Sequence, residues 1–334
     1  MTTPIAENAP AFRESIAACF TVDPSAVRAH EFHMSYRELM RRQFLQAIDA
    51  AAEGLGRYLS PLSERIEGFA PNERLSPAAY VALTRLTEAL CSGNVTSVTD
   101  RLQTLSVMSE SEFREAVFRV EPVLTEAWET PFIESVRTDP IEGVEEETHI
   151  VRALLGHDPA PEISACEAAL ELLEEVDPEL SGEFREYVTR VKLFEGRGYL
   201  GFSSPAAFGA IFIRIPDTDP VAYFLEHLVH ELSHLSLNVL MAHDSLLRNP
   251  AASGPAPLRA DPRPLYQVLH ATFVLGRNLR VTRRVVERHP ELGYQDTLRD
   301  FETNFLEGFH TLQEQAEFSE PGRQLFRSLD ALRD

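Results

Sequence analysis

Residues 223–240 read YFLEHLVHELSHLSLNVL, and this stretch decides the fold of the C-terminal half of the chain. Apolar side chains recur every three to four residues without an internal glycine or proline, which predicts a helix. Within it, His230-Glu231-Leu232-Ser233-His234 forms an H-E-x-x-H motif. Residues four apart lie on the same face of a helix, so both imidazoles can bind one metal ion. The motif therefore predicts a metal centre with His230 and His234 as ligands.

The motif by itself is compatible with two kinds of enzyme. In a zinc hydrolase, Glu231 would be the general base that deprotonates a metal-bound water. In an iron oxygenase, the same two histidines would hold Fe(II) and leave positions open for co-substrates. A buried helix whose polar side chains satisfy one another is the alternative without a metal.

The remaining pattern predicts a mainly α protein (α+β), with a small β-sheet packed before the H-E-x-x-H helix. Short β-branched and aromatic runs at 197–204 and 206–216 predict two strands. A loop rich in Pro, Ala and Ser then leads to a long helix over 264–288, and two further helices end the chain. In the first half, helical periodicity predicts helices at 36–69, 77–93, 111–128, 163–176 and 181–196.

Residues 139–162, DPIEGVEEETHIVRALLGHDPAPE, are acidic and proline-rich, which is typical of a joint. We therefore divide the chain into a helical N-terminal region, 1–150, and a metal-binding catalytic region, 151–334, packed together as one continuous unit. Residues 1–27 have little periodicity and are predicted to form an irregular lead-in.

Composition excludes several classes of partner. The chain has 334 residues with 52 acidic and 31 basic side chains, a net charge of −21, which would repel a phosphate backbone. No apolar run reaches the roughly 18 residues of a membrane span, and no basic stretch precedes an apolar core at the N-terminus. The three cysteines are far apart and form no CxxC pair. We expect a cytoplasmic protein that binds neither nucleic acid nor membranes.

A third metal ligand has to come from outside the motif. One zincin class would need glycine at 237 and histidine at 240, where this chain has Leu237 and Leu240. A second class uses a glutamate on a following helix, but the helix at 264–288 has no acid before Glu287. That helix carries His270 on an otherwise apolar face, and we predict His270 as the third ligand.

Other residues are further candidates for the metal site. His243, Asp244 and Asp261 are the alternative third ligands. His227 and His234 are two turns apart, roughly 10 Å by the helical rise, so one helix cannot bring both to the ion together with His230. His227 is expected to line the pocket instead.

Arginines that could bind an anion lie near the predicted third ligand. Arg263 lies between two prolines in DPRP, and its guanidinium fork matches a carboxylate bidentately. Arg277 lies seven residues after His270, so both belong to one predicted helix. We predict an anion-binding role for Arg263, with Arg277 as the next candidate. For Arg280, Arg283 and Arg284 we expect pairing with surface acids instead.

The stretch 209–244, GAIFIRIPDTDPVAYFLEHLVHELSHLSLNVLMAHD, followed by DPRPLYQVLHATFVL at 261–275, resembles the HExxH motif-containing peptide-modification family. Members with assigned activity are Fe(II)/α-ketoglutarate-dependent HExxH peptide β-hydroxylases of RiPP pathways. By this resemblance His230 and His234 match the motif histidines, Arg263 matches the arginine of DPRPL, and His270 matches the histidine that follows. Ala271 stands where glycine is frequent in the family.

The resemblance implies an α-ketoglutarate-dependent non-heme iron dioxygenase that hydroxylates a residue, at Cβ, in a ribosomally made precursor peptide. Fe(II) would be held by His230, His234 and His270, with O2 as co-substrate. Arg263, or failing it Arg277, would hold the distal carboxylate of α-ketoglutarate (2-oxoglutarate), and Glu231 would orient a ligand or a substrate group. A zinc-dependent peptidase with Glu231 as general base and a non-catalytic peptide-binding scaffold remain open as alternatives.

Overall fold

The structure is a computed structural model that describes residues 19–55, 60–68, 73–115, 117–138, 150–154, 156, 158–217 and 220–333. It is mainly helical with a small sheet, which confirms the predicted mainly α (α+β) class. Most of the predicted lead-in and of the acidic joint lies outside the described residues. None of the described helices combines the length and the hydropathy that crossing a membrane requires.

The helices of the described residues are α1 (Ala26–Leu55), α2 (Ser60–Glu67), α3 (Pro77–Cys91), α4 (Val95–Val107), α5 (Glu110–Phe113), α6 (Glu129–Thr138), α7 (Ala160–Val176), α8 (Pro178–Tyr187), α9 (Pro220–Met241), α10 (Leu265–Arg288), α11 (Gln295–Gln315) and α12 (Glu320–Asp330). The strands are β1 (Arg74–Leu75), β2 (Arg114–Glu115), β3 (Arg119–Pro122), β4 (Ile150–Arg152), β5 (Arg190–Arg197), β6 (Gly201–Ser203), β7 (Ala210–Arg214), β8 (Ser253–Gly254) and β9 (Arg263–Pro264).

The chain divides into two compact units. The first comprises Met1–Phe32, Ala168–Phe184 and Leu225–Asp334, and the second comprises His33–Glu167 and Arg185–Phe224. These units do not coincide with the regions 1–150 and 151–334 expected from the sequence. The physical reason is strand pairing, because β3, from before residue 150, pairs with β5, from after it.

The second unit is built around β5. This strand pairs in parallel with β3 on one side and with β7 on the other, and β6 completes the order β3-β5-β7-β6, while β4 pairs antiparallel with the end of β5. The antiparallel β6–β7 pair coincides with the two strands that the sequence predicts. Buried side chains of this unit form its core: Val81, Val123, Phe132, Ile133, Phe194, Tyr199, Phe202, Ala207, Ala210 and Phe212.

Two predicted helices are wrong in their second halves. The one expected at 181–196 ends at Tyr187, and strand β5 follows it. The one expected at 111–128 is only the short α5, followed by β2 and β3. Both errors have one cause: β5 (RVKLFEGR) and β3 (RVEP) carry charged side chains, so neither has the apolar pattern of a strand. Arg190 and Lys192 of β5 pair with Glu121 of β3, a contact between segments far apart in sequence. The helix expected from residue 36 begins ten residues earlier, at Ala26.

The first unit contains the long helices α10 and α11, which pack closely. A side chain at Gly308 of α11 would place its Cβ 2.3 Å from Thr272 Oγ1 of α10. Gly276 of α10 in turn lies against Phe305, where a Cβ would approach the ring to 3.2 Å. Glycine at these positions lets the helix backbones come together, which fixes α10, the helix that carries His270.

Candidate metal centre

Helix α9 presents one accessible line of side chains on an otherwise buried surface. Leu228, Val229 and Leu232 are fully buried, whereas His230 and His234 are partly exposed. Glu226 lies one turn before His230 and is also partly exposed. Because these three residues are spaced four apart, they lie along one face of the helix. The sequence therefore places both motif imidazoles on the side of α9 that a ligand can reach.

The two motif histidines are arranged as a metal-binding pair. Their Nε2 atoms are 3.2 Å apart and their ring centroids 4.9 Å. Two nitrogens that bind one ion at about 2.1 Å, and subtend roughly 90–110° at it, lie about 3.0–3.4 Å apart. The observed separation of 3.2 Å lies in this range.

Both rings are held in the neutral form that a metal requires. Burial, with a smaller contribution from His227, lowers the pKa of His230 to about 4. Burial also lowers the pKa of His234 well below its usual range, and the neighbouring His230 and His270 add to the effect. A proton on either Nε2 would have to leave before both nitrogens could bind one ion.

His270, the predicted third ligand, lies next to the pair. Its ring centroid is 5.8 Å from that of His234, and the two rings are inclined by only 24°. Burial lowers the pKa of His270 to about 4. Its Nε2, however, is 3.1 Å from the thioether sulfur of Met241, the last residue of α9. A methionine side chain has three rotatable bonds and can move aside.

The three histidines are thus neighbours but not a completed site. Among the residues that the structure describes, no three His, Cys, Asp or Glu side chains converge as a preformed metal-binding group. The Nε2 atoms of His230 and His234 have a separation that suits one ion, whereas the Nε2 of His270 contacts the Met241 thioether. Its role as third ligand remains a prediction.

The alternative third ligands have other neighbours. His243 packs against the ring of Phe32, with centroids 5.3 Å apart. Asp244 Oδ1 accepts hydrogen bonds from the Leu246 amide at 2.7 Å and the Ser319 hydroxyl at 2.5 Å. Asp261 is exposed and pairs with Arg263. None of these contacts brings the three side chains to the histidine pair.

Glu231 and His227 flank the pair on the same helix. Glu231 is only 3% exposed, so its carboxyl group lies within the protein and not on the accessible line. The ring of His227 lies 6.5 Å from that of His230, nearly parallel to it, and the residue is 7% exposed. His227 therefore adjoins His230, and its role as a residue of the pocket wall stays a prediction.

Arg263 is held at the start of the helix that carries His270. It belongs to β9, which pairs with β8 in the register Gly254↔Arg263, and α10 begins two residues later. The residue is buried, and its Nη2 is 3.0 Å from Asp261 Oδ2. A short strand pair thus fixes Arg263 and the first turn of α10 in one segment.

Arg277, the second predicted anion-binding residue, is engaged inside the protein. Its guanidinium forms a bidentate ion pair with Glu183, and both residues are almost fully buried. It also donates to the Ser236 hydroxyl at 3.0 Å and to the Val22 carbonyl at 3.1 Å. This internal pairing was not foreseen, because Glu183 and Arg277 are 94 residues apart and no local pattern links them.

The other arginines of α10 are also paired with acids. Arg280 and Arg284 both contact Asp177, at 2.7 and 2.9 Å, and Arg283 contacts Glu302 at 3.2 Å. Pairing with acids was expected for these arginines, but Asp177 is completely buried and not at the surface. The basic row along α10 therefore holds the first unit together.

Comparison with known proteins assigns this chain to no family. No family model matches the sequence, and no curated protein is significantly similar to it.

Proposed function

We propose that this protein is an Fe(II)/α-ketoglutarate-dependent oxygenase that hydroxylates a residue, at Cβ, in a ribosomally made precursor peptide. The observation that carries the proposal is the 3.2 Å separation of the His230 and His234 Nε2 atoms on the accessible line of α9, with His270 beside them. The choice of iron, keto acid and peptide rests on the motif resemblance at 209–244 and 261–275.

In this proposal three histidines hold the metal. His230 and His234 bind through Nε2, and His270 joins them after the Met241 thioether moves away. Three neutral imidazoles leave the charge of Fe(II) uncompensated, so an anionic co-substrate is favoured at the open positions. Bound Fe(II), with α-ketoglutarate and O2, would supply the chemistry that converts a C–H bond to C–OH while the keto acid leaves as succinate and CO2.

Arg263 and Glu231 have supporting roles. Arg263 would hold the distal carboxylate of the keto acid with its guanidinium fork, and the β8–β9 pair fixes its position relative to α10. Glu231 is nearly buried beside the ligands, so it would orient a ligand or a substrate group through a hydrogen bond. Neither residue is required to bind the ion itself.

The direct test is turnover with Fe(II), α-ketoglutarate and air. The substrate probes are synthetic copies of any short peptides that the neighbouring genes encode. We expect the peptide to gain the mass of one oxygen atom, with one succinate formed per hydroxylation. His230→Ala and His234→Ala should abolish both, whereas His310→Ala, which removes an exposed imidazole from α11, should change neither.

Other outcomes would exclude the proposal. Peptide fragments formed with zinc and without keto acid would identify a zinc peptidase, in which Glu231→Gln should lower hydrolysis by about 10²–10⁴-fold or more. In the oxygenase, Glu231→Gln should keep the metal and show a smaller loss, or keto acid consumption without hydroxylation. Peptide binding without turnover, and no keto acid consumption above that of His230→Ala, would identify a scaffold.

A further inference from the structure

A second candidate site lies in the other unit, away from the histidines in sequence. A cavity of about 500 Å³ opens where β4, the end of β5 and the segment after β7 come together. This volume is in the range of small-molecule sites, roughly 300–1,000 Å³. Its lining includes three arginines, Arg152, Arg197 and Arg214, and two carboxylates, Glu195 and Asp217.

Strand register places two of the three arginines on one face. β4 and β5 are antiparallel, with Arg152 opposite Glu195 and Ile150 opposite Arg197. Residues directly opposite each other point to the same side, and so do residues two apart on one strand. Arg152 and Arg197 therefore rise from the same side of the ribbon, and Arg214 at the end of β7 also lines the cavity.

These arginines have no acidic partner within the part of the chain that the structure describes. Arg152 makes no ion pair even with Glu195, its direct cross-strand neighbour. Arg190, on the same strand β5, is paired with Glu121 and Glu126 at 2.6 and 3.0 Å. The protein has a net charge of −21, so a cavity lined by three guanidiniums that lack such pairing differs from the overall charge of the protein.

We infer that this cavity binds a small ligand carrying two or more carboxylate or phosphate groups. Each guanidinium fork can take one oxyanion bidentately, and Arg152 and Arg197 can do so side by side. Two carboxylates of the lining limit the site, because Glu195, opposite Arg152, and Asp217 each repel a neighbouring anion. The cavity volume of about 500 Å³ limits the ligand to a small molecule. The arginines would attract it, although the protein as a whole is negatively charged.

Calorimetric titration with two probes, citrate and pyrophosphate, tests this inference on the full chain without iron or keto acid. We expect saturable binding of at least one probe, and the preferred probe distinguishes a carboxylate from a phosphate ligand. Arg152→Gln and Arg197→Gln should each weaken it by about tenfold to a hundredfold, the loss of one charge-assisted contact. The matched control is Arg119→Gln in β3, which removes an exposed guanidinium of the same sheet that does not line the cavity.

A substitution that should strengthen binding complements the arginine variants, which should weaken it. Glu195→Gln should tighten binding by about threefold, since it removes a like charge a few ångströms from the ligand. The inference is overturned if neither probe binds saturably, or if Arg119→Gln weakens binding as much as Arg152→Gln does. Because the titrations contain neither iron nor keto acid, failure here and failure of the proposed oxygenase activity are separate results.

Discussion

Replacing Arg277 by methionine should lower the free energy of unfolding by about 3–5 kcal/mol, the cost of breaking a buried ion pair by removing one partner. The substitution leaves Glu183, itself 3% exposed, as a buried carboxylate without its cation. The Ser236 hydroxyl would remain as a donor to that carboxylate, but one neutral hydrogen bond replaces little of a bidentate guanidinium contact. With a urea dependence of about 3 kcal/mol per molar, the unfolding midpoint should fall by roughly 1–2 M.

The double variant Arg277→Met/Glu183→Leu separates structure from function. Replacing both charges by apolar side chains of similar volume is often neutral, so the double variant should recover most of the lost stability. It should also bind α-ketoglutarate as the wild type does, measured by the metal-to-ligand absorption of the anaerobic Fe(II) protein. A loss below about 1 kcal/mol in the single variant would refute the energetic reasoning. Loss of keto acid binding in a folded double variant would make Arg277 the co-substrate anchor.

Three further perturbations follow from packing and charge. Gly308→Ala should destabilise the protein by about 1–3 kcal/mol in urea unfolding, because its Cβ meets Thr272 Oγ1, whereas Gly54→Ala in α1, with nothing within 4 Å, should be neutral or stabilising. Met241→Leu should leave Fe(II) affinity within about threefold of wild type, and a larger loss would make the thioether a metal donor. Burial alone would raise the pKa of Glu121, but its ion pairs with Lys192 and Arg190 outweigh burial and lower it below 4.5. This contribution to stability is therefore present above pH 4.5 and is lost as the pH falls through the folded-state pKa, so Arg190→Gln should flatten the acid dependence of the unfolding free energy.

The parts of the fold that local pattern determines were predictable. Helix α9 has an uninterrupted period, and α10 begins directly after Pro264, so the sequence predicts both. Strand β5 was missed because its stability depends on distant segments. Lys192, at the centre of β5, is fully buried, which a lysine side chain tolerates only with a partner for its charge. Its partner Glu129 lies 2.6 Å from the Lys192 Nζ but 63 residues away in sequence.

The same distinction applies to the candidate site. The proximity of His230 and His234 follows from a four-residue spacing on one helix, which is a local property. The position of His270 beside them depends on how α10 packs, and its contact with Met241 could not be read from periodicity. The buried pair of Arg277 and Glu183 likewise joins two helices far apart in sequence, so the sequence could not separate it from an anion-binding residue.

Metal stoichiometry in single histidine variants tests the central claim most directly. After anaerobic reconstitution with Fe(II) and removal of unbound ion, the wild type and the His310→Ala control should retain one iron per chain. His230→Ala, His234→Ala and His270→Ala should each lose it while keeping the wild-type helical content. Full iron occupancy in His270→Ala would contradict the predicted triad, and full occupancy in His230→Ala or His234→Ala would contradict a metal centre on α9 altogether.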